Sequence, residues 1–279
     1  MGRRSANAVR ITAQSLAGAP KGLAVIGVRI AVQTACLAQP LRQALHTVGP
    51  LGADGVQINL RTELPAAELS DTALRQLRKL LDDLNLRVGS TAFPTRRGYA
   101  NPHDLDRRLE ATLQAMRATS RLGGHAMVVA LGPLPEAGDE ATLVEALTQL
   151  GAHGNRLGVQ LAVQSVASPA ELNDLIAKLP EGFMGVNISP ADLIHSGRQP
   201  LEYVEKLGPH INHAYANDAV RGVGGGSVDV ALGRGTAELP EMLAKLEEHD
   251  YRGWITVERR HSPRPAEEVA DAVQYLRSL

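Results

Sequence analysis

The sequence predicts an α/β protein of a single domain, a (β/α)8 TIM barrel, and three observations carry the prediction. Eight short runs of β-forming residues alternate with eight helix-length amphipathic segments from residue 28 onward. The short runs are continuously apolar rather than alternating, as strands covered on both faces are. The 279 residues leave room for eight βα units, which usually take about 250 residues.

The strands are expected at 28–32, 55–59, 87–93, 126–131, 159–165, 184–189, 211–217 and 254–258. A short helix is expected at 41–48. The next, 71–85, places Leu74, Leu77, Leu80, Leu81 and Leu84 on one stripe, with Ser70 placed to cap its N-terminus. Leu105, Leu109, Leu113, Met116 and Leu122 mark a helix over 104–122. Helices over 140–157 and 169–179 follow. Pro200 opens the helix 200–207 in its first turn, where the missing N–H costs nothing. Segments 237–249 and 265–279 complete the set. The leucine stripes are read as the faces that pack onto the sheet.

An open doubly wound sheet is the rival. It predicts a G-x-G-x-x-G turn after the first strand, and none follows residues 28–32. Gly224, Gly225 and Gly226 come after the seventh strand and read as a loop tip. No domain boundary or internal repeat interrupts the βα alternation.

Composition narrows the function. Hydrophobic residues make up 44% of the chain, enough for a large core, and 29 basic residues face 30 acidic ones for a net charge of -1. That balance argues against a nucleic-acid or membrane-surface partner. Aromatics at 3% leave few platforms for stacking bases. Cys36 is the single cysteine, so an intrachain disulfide and a cysteine metal cluster are both excluded, which favours a reducing, cytoplasmic setting. No apolar run approaches the roughly 18 residues of a membrane span. Arg3, Arg4, Arg10, Lys21 and Arg29 all precede the first acid, Asp54. Residues 1–24 are therefore expected to be a disordered basic tail before a barrel over 25–279. A twin-arginine export signal is the other reading, although 11–20 is only mildly apolar and Arg29 and Gln33 break the better stretch.

In such barrels chemistry sits at the C-terminal ends of the strands. Those ends carry Gln33 and Thr34, Gln57 and Asn59, Thr91 with Arg96 and Arg97 beyond it, Gln164 and Ser165, Asn187 and Ser189 with Asp192 and His195 one turn on, His213, Tyr215, Asn217 and Asp218, and Glu258, Arg260 and His261. This is a polar mouth suited to a small sugar, polyol or sugar phosphate, because amides and hydroxyls supply paired donors and acceptors. Residues two apart on a strand share a face. His213, Tyr215 and Asn217 therefore form one column, with His213 a layer deeper, and Glu258 and Arg260 form another. Glu258 reads either as a functional acid in the lumen or as a salt-bridged rim residue. Arg96, Arg97 and Arg260 read as forks for an anionic group or, for the first two, as solvated loop charges.

The segments GVNISPADLIHSGRQPLEYVEKL (185–207), INHAYANDA (211–219) and LGRGTAELPEMLAKLEEHDYRGWITVER (232–259) resemble the xylose isomerase-like barrels. This is the sugar phosphate isomerase/epimerase group that also holds endonuclease IV-type and inosose dehydratase-type proteins. Weaker similarity runs through GADGVQINL (52–60) and LRVGSTAFP (86–94). The resemblance implies a divalent metal held by Glu, Asp, His and Glu from strands five to eight. The matching positions here are Gln164, Ser189, Tyr215 and Glu258, and only the last keeps the family's residue. Hard cations are bound by oxygen ligands according to their charge, so no metal and no other cofactor is expected. The family's epimerases also use two ligand carboxylates on opposite faces of the sugar, and Gln164 cannot exchange a proton.

Two functions follow. One is a divergent, metal-independent sugar or polyol isomerase or epimerase. There Glu258 acts as base, Tyr215 or His213 as acid, an arginine as the enediolate stabiliser, and Gln164, Ser189, Asn217, Arg260 and Arg96 hold the ligand. The other is a pseudoenzyme that binds a carbohydrate-like ligand or a protein partner. Nuclease chemistry needs several metals, and the replaced positions argue against it.

Overall fold

The computed structural model describes residues 28–136, 138–222 and 225–279; the predicted basic tail, residues 1–24, lies outside them, as does Gly224 at the predicted loop tip. Eight parallel strands close into a barrel in the order β1-β10-β7-β6-β5-β4-β3-β2. They are β1 (Arg29–Gln33), β2 (Gly55–Asn59), β3 (Arg87–Ala92), β4 (Ala126–Ala130), β5 (Gln160–Gln164), β6 (Gly185–Ile188), β7 (Ile211–Ala216) and β10 (Trp254–Val257). Every predicted strand is present, with ends shifted by a residue or two.

The helices are α1 (Leu41–Val48), α2 (Asp71–Asp83), α3 (Leu105–Arg121), α4 (Ala141–Leu157), α5 (Pro169–Ile176), α6 (Pro190–His195), α7 (Pro200–Leu207), α8 (Leu239–Glu248) and α9 (Pro265–Ser278). Ser70 caps α2 as expected, accepting a hydrogen bond from the Ala73 amide at 3.2 Å. That helix stops short of residue 85 because Asn85 sits at φ 53°, in the left-handed region. Leu74 and Leu81 of its stripe are buried, each worth about 1.5–3 kcal/mol.

The structure adds two elements that the sequence reading lacks. The short helix α6 follows β6 directly. After β7 an antiparallel hairpin, β8 (Asp218–Arg221) and β9 (Ser227–Val230), rises from the barrel mouth. Asp218, predicted as a strand-end site group, instead ties this loop together. Its carboxylate accepts from the amides of Ala219, Gly233, Gly235 and Ala237 at 2.7–3.1 Å.

The two barrel ends differ. At the N-terminal end Trp254 closes the lumen. Gly55 and Gly89 make room for its ring, since a Cβ on either would stand within 3.0 Å of it. At the other end the lumen is filled by polar side chains.

Candidate functional site

The lumen is built in two polar layers. The lower one centres on His213, which is 1% exposed. Its Nε2 lies 2.8 Å from the Thr256 hydroxyl, 3.0 Å from the Ser90 hydroxyl and 3.3 Å from the Gln57 amide nitrogen, and its Nδ1 lies 2.7 Å from Asn187 Oδ1. Asn187 Oδ1 can only accept, so the proton sits on Nδ1 and Nε2 is the acceptor among the Thr256, Ser90 and Gln57 groups. Burial drives the ring pKa down to about 3, so the imidazole is neutral. His213 is therefore a packed structural group beneath the site. The reading of it as a catalytic acid meets a ring with both nitrogens engaged and no access to a ligand.

The upper layer holds Gln33, Gln57, Tyr215, Asn217, Ser189 and Glu258. Tyr215 stacks edge-on against His213, with centroids 4.8 Å apart, as their shared column requires. Its hydroxyl donates to Gln57 Oε1 at 2.8 Å. Burial raises its pKa and the nearby Glu258 raises it further, so it stays a neutral phenol. Glu258 lies one residue past β10, with its amide still on the ladder to the Ala216 carbonyl at 3.1 Å. Gln33 donates to one of its carboxylate oxygens at 3.1 Å, and Asn217 donates to the other at 2.7 Å. Asn217 also donates to the Ser189 hydroxyl at 3.1 Å, and its Oδ1 accepts the Ala191 amide of α6 at 2.8 Å. Burial pushes the Glu258 carboxyl above the ordinary range, with Arg260, Asn217 and Gln33 pulling against it and Asp192 adding to the rise.

Arg260 is the cation of the mouth. Its Nη1 lies 2.7 Å from Asp192 Oδ1, and its Nε lies 3.2 Å from Asp229 Oδ2 and 3.7 Å from Glu258 Oε2. Burial works against its charge, but Glu258, Asp192 and Asp229 together hold it protonated. Asp229 comes from β9 and also binds His195 Nε2 at 2.6 Å. Gln164, at the end of β5, donates its amide to Asp192. A cavity of about 660 Å³ opens beside this cluster, with Gln164, Asp192, His195 and Gly132 in its wall.

Gln164, Ser189, Tyr215, Asn217, Glu258 and Arg260 are thus brought together in one bonded cluster, and of these six Gln164 lines the open cavity. Arg96 is not with them. It lines a separate groove with Arg61, Arg97, Arg107 and Arg108. Asp192 and Asp229 carry more of the site than their sequence signals suggest. Asp192 stands one helical turn from the strand end. Asp229 has its signal in the alternating SVDV after the glycine run, which marks a hairpin arm.

The donor set does not fit a hard divalent cation. At the four family-type ligand positions, Gln164 and Ser189 are neutral, Tyr215 is held as a phenol, and Glu258 faces amide N–H groups and a guanidinium. Among the described residues no group of three or more His, Cys, Asp or Glu side chains is arranged to hold a metal ion. Nor is any helix among them long and apolar enough to cross a membrane.

A family model described as xylose isomerase-like TIM barrel matches residues 47–279. No curated protein matches the sequence. A xylose isomerase domain protein from Planctomyces limnophilus superposes with a TM-score of 0.75 at 21% identity, over 83% of this chain and 90% of that one. A xylose isomerase-like TIM barrel protein from Mycobacterium smegmatis, solved in complex with magnesium, gives 0.73 at 19% identity, over 85% and 87%. A D-psicose 3-epimerase, solved in the presence of D-fructose, gives 0.73 at 15% identity, over 90% and 99%.

Proposed function

The chain belongs to the xylose isomerase-like TIM barrel family, and from that premise we propose that it is a metal-independent isomerase or epimerase of a small sugar or polyol. The observation that carries this reading is Arg260, a fixed cation ringed by Asp192, Asp229 and Glu258. A guanidinium donates two aligned N–H groups to an oxygen on which negative charge develops. Arg260 takes that part at the carbonyl oxygen of the sugar.

Glu258 is the base. A carboxyl raised by burial is better matched to proton transfer near neutral pH than an ordinary one. It takes the proton from the carbon beside the carbonyl, and the C–H electron pair moves through the new C=C bond onto the carbonyl oxygen. Return of the proton by Glu258 to the former carbonyl carbon, with the proton of the adjacent hydroxyl passing to the former carbonyl oxygen, isomerises the sugar on one face. Inversion of the centre would need a second proton delivered to the opposite face, and Asp192 could deliver it only by carrying a proton in place of its pairing with Arg260. Gln33 and Asn217 orient the Glu258 oxygens, and one of these amides gives way as the ligand enters. Tyr215, Gln164 and Ser189 bind sugar hydroxyls.

One observation favours a second reading, a ligand-binding pseudoenzyme. The Glu258 side chain is 10% exposed, and both its oxygens already have partners. Incubation with a panel of ketoses in D2O containing EDTA, followed by proton NMR, separates the two. Deuterium uptake beside the carbonyl, lost in Glu258→Gln and in Arg260→Met, is the expected result. Ligand binding without uptake supports the pseudoenzyme. Uptake that EDTA abolishes overturns the metal-independent reading.

A further inference from the structure

Outside the mouth, Arg61, Arg96, Arg97 and Arg107 converge with Arg108 on a groove of about 370 Å³ that holds a single acid, Asp104. That acid faces His103 at 3.0 Å rather than the arginines. Like charges gathered this closely repel unless an anion lies among them.

The groove is built on a pinned turn. The Thr95 hydroxyl donates to the Ala130 carbonyl at 2.9 Å, and the buried Tyr99 hydroxyl lies 3.0 Å from Thr112 Oγ1. Arg108 spends its guanidinium inside the loop, donating from Nε to the Gly98 carbonyl at 3.0 Å and from its other nitrogens to the Asn101 and His103 carbonyls. Gly98 sits at φ +62°, and a Cβ there would stand 2.0 Å from the Leu131 carbonyl oxygen. Arg96 and Arg97 therefore project from a fixed backbone. Arg61 is held over the Phe93 ring, 4.5 Å from its centroid. One guanidinium held in place and two more rising from a fixed backbone, with Arg107 beside them, suit an anion with several oxygens, because each fork can bond two of them.

We infer that this groove is a phosphate site distinct from the barrel mouth. It takes a phosphate dianion, either free or as the phosphomonoester end of a ligand. The second source is open because the groove backs onto the mouth cavity. A Cβ on Gly132, which lines that cavity, would stand 3.3 Å from the Arg97 carbonyl oxygen. The inference does not depend on catalysis at Glu258.

Calorimetric titration with inorganic phosphate, against chloride at matched ionic strength, tests it. The Arg96→Ala/Arg97→Ala variant should bind phosphate about tenfold more weakly or worse, since a hydrogen bond to a charged group is worth that factor. Its unliganded Tm should not fall, because both side chains are exposed and their removal relieves like-charge repulsion. Glu258→Gln should bind phosphate like the parent, which separates failure here from failure of the mouth reading. A ketose phosphate that binds more tightly than inorganic phosphate, and loses that gain in the arginine variant, places the phosphate on the sugar. Equal affinity for the two identifies free phosphate as the ligand. Phosphate binding no tighter than chloride, or undiminished in the arginine variant, or lost in Glu258→Gln instead, overturns the inference.

Discussion

Replacing Arg260 by Met keeps the length of the side chain and removes the one cation shared by Asp192, Asp229 and Glu258. The magnitude follows from the contacts. The guanidinium makes one close bond to Asp192 at 2.7 Å, a second to Asp229 at 3.2 Å, and a longer contact to Glu258 at 3.7 Å. Breaking a fully buried ion pair by removing one partner costs about 3–5 kcal/mol, and solvent reaching a side chain that is 32% exposed reduces that. A net loss of about 2–4 kcal/mol remains. For a domain of this size, Tm should fall by roughly 5–15 °C.

The sign of the pH dependence is also fixed. Burial already raises the Glu258 carboxyl, and Arg260 is the first of the groups holding it down. Without the guanidinium the folded carboxyl rises further, so the folded variant binds more protons than its unfolded chain above the ordinary carboxylate range. Its stability is then full at acid pH and is lost as pH rises through that range toward the raised value. Urea unfolding followed by circular dichroism at pH 4.5 and pH 7 should show a small difference from the parent at the lower pH and a large one at the higher. A variant as stable as the parent at pH 7, or a difference that widens on acidification, refutes the shared-cation account.

Three further outcomes are expected. Elemental analysis of the purified protein should find no stoichiometric Mn2+, Mg2+, Co2+ or Zn2+, whereas Gln164→Glu/Ser189→Asp/Tyr215→His should acquire metal, because the charged ligand count is restored. In nitrogen-15 NMR the His213 ring should show no protonation between pH 8 and pH 5, and its neutral form should carry the proton on Nδ1. Its folded pKa of about 3 lies below the unfolded value, so it favours folding above pH 6.5 and loses that contribution as the pH falls toward 3. Gly98→Ala should lower Tm and weaken phosphate binding together, since the added Cβ meets the Leu131 carbonyl oxygen while φ stays positive; an unchanged Tm would show that the turn is not pinned.

The barrel was legible because its signal is periodic. Apolar runs spaced by leucine stripes fix the eight strands, and the two-residue repeat puts His213 directly below Tyr215. The hairpin β8–β9 was less legible, because Asp218 and Asn217 read equally well as the polar end of β7. Missing that hairpin hid Asp229, and with it the group that pairs with both Arg260 and His195. Strand-end position identifies which side chains reach the mouth but not which of them bond to each other. The Gln33 and Asn217 amides close on Glu258 through rotamers and loop paths that no spacing encodes. The separation of Arg96 from the site has the same origin, since the turn at Gly98 directs it into another groove.

In the proposed reaction a guanidinium takes the part of the divalent metal that the family resemblance implies, and this has a chemical consequence. A bound metal ion offers open coordination positions and draws electron density directly from a carbonyl oxygen. Arg260 offers N–H donors whose charge is already shared among three carboxylates, so it polarises a carbonyl less. In return the cation is covalently fixed and independent of metal supply. Gln164 stands at the position of the family-type second carboxylate, and Asp192 is an acid of this network that acts on Glu258 and is bonded to the same guanidinium. To deliver a proton Asp192 must first carry one, and as a neutral acid it loses the charge pairing that holds Arg260, which couples the second proton transfer to a loosening of the guanidinium. Isomerisation through Glu258 alone avoids that coupling. The arrangement consequently favours transfer on one face of the sugar over inversion, and formation of the isomerised product that persists in Asp192→Asn, where an epimerised product would be lost, distinguishes the first from the second.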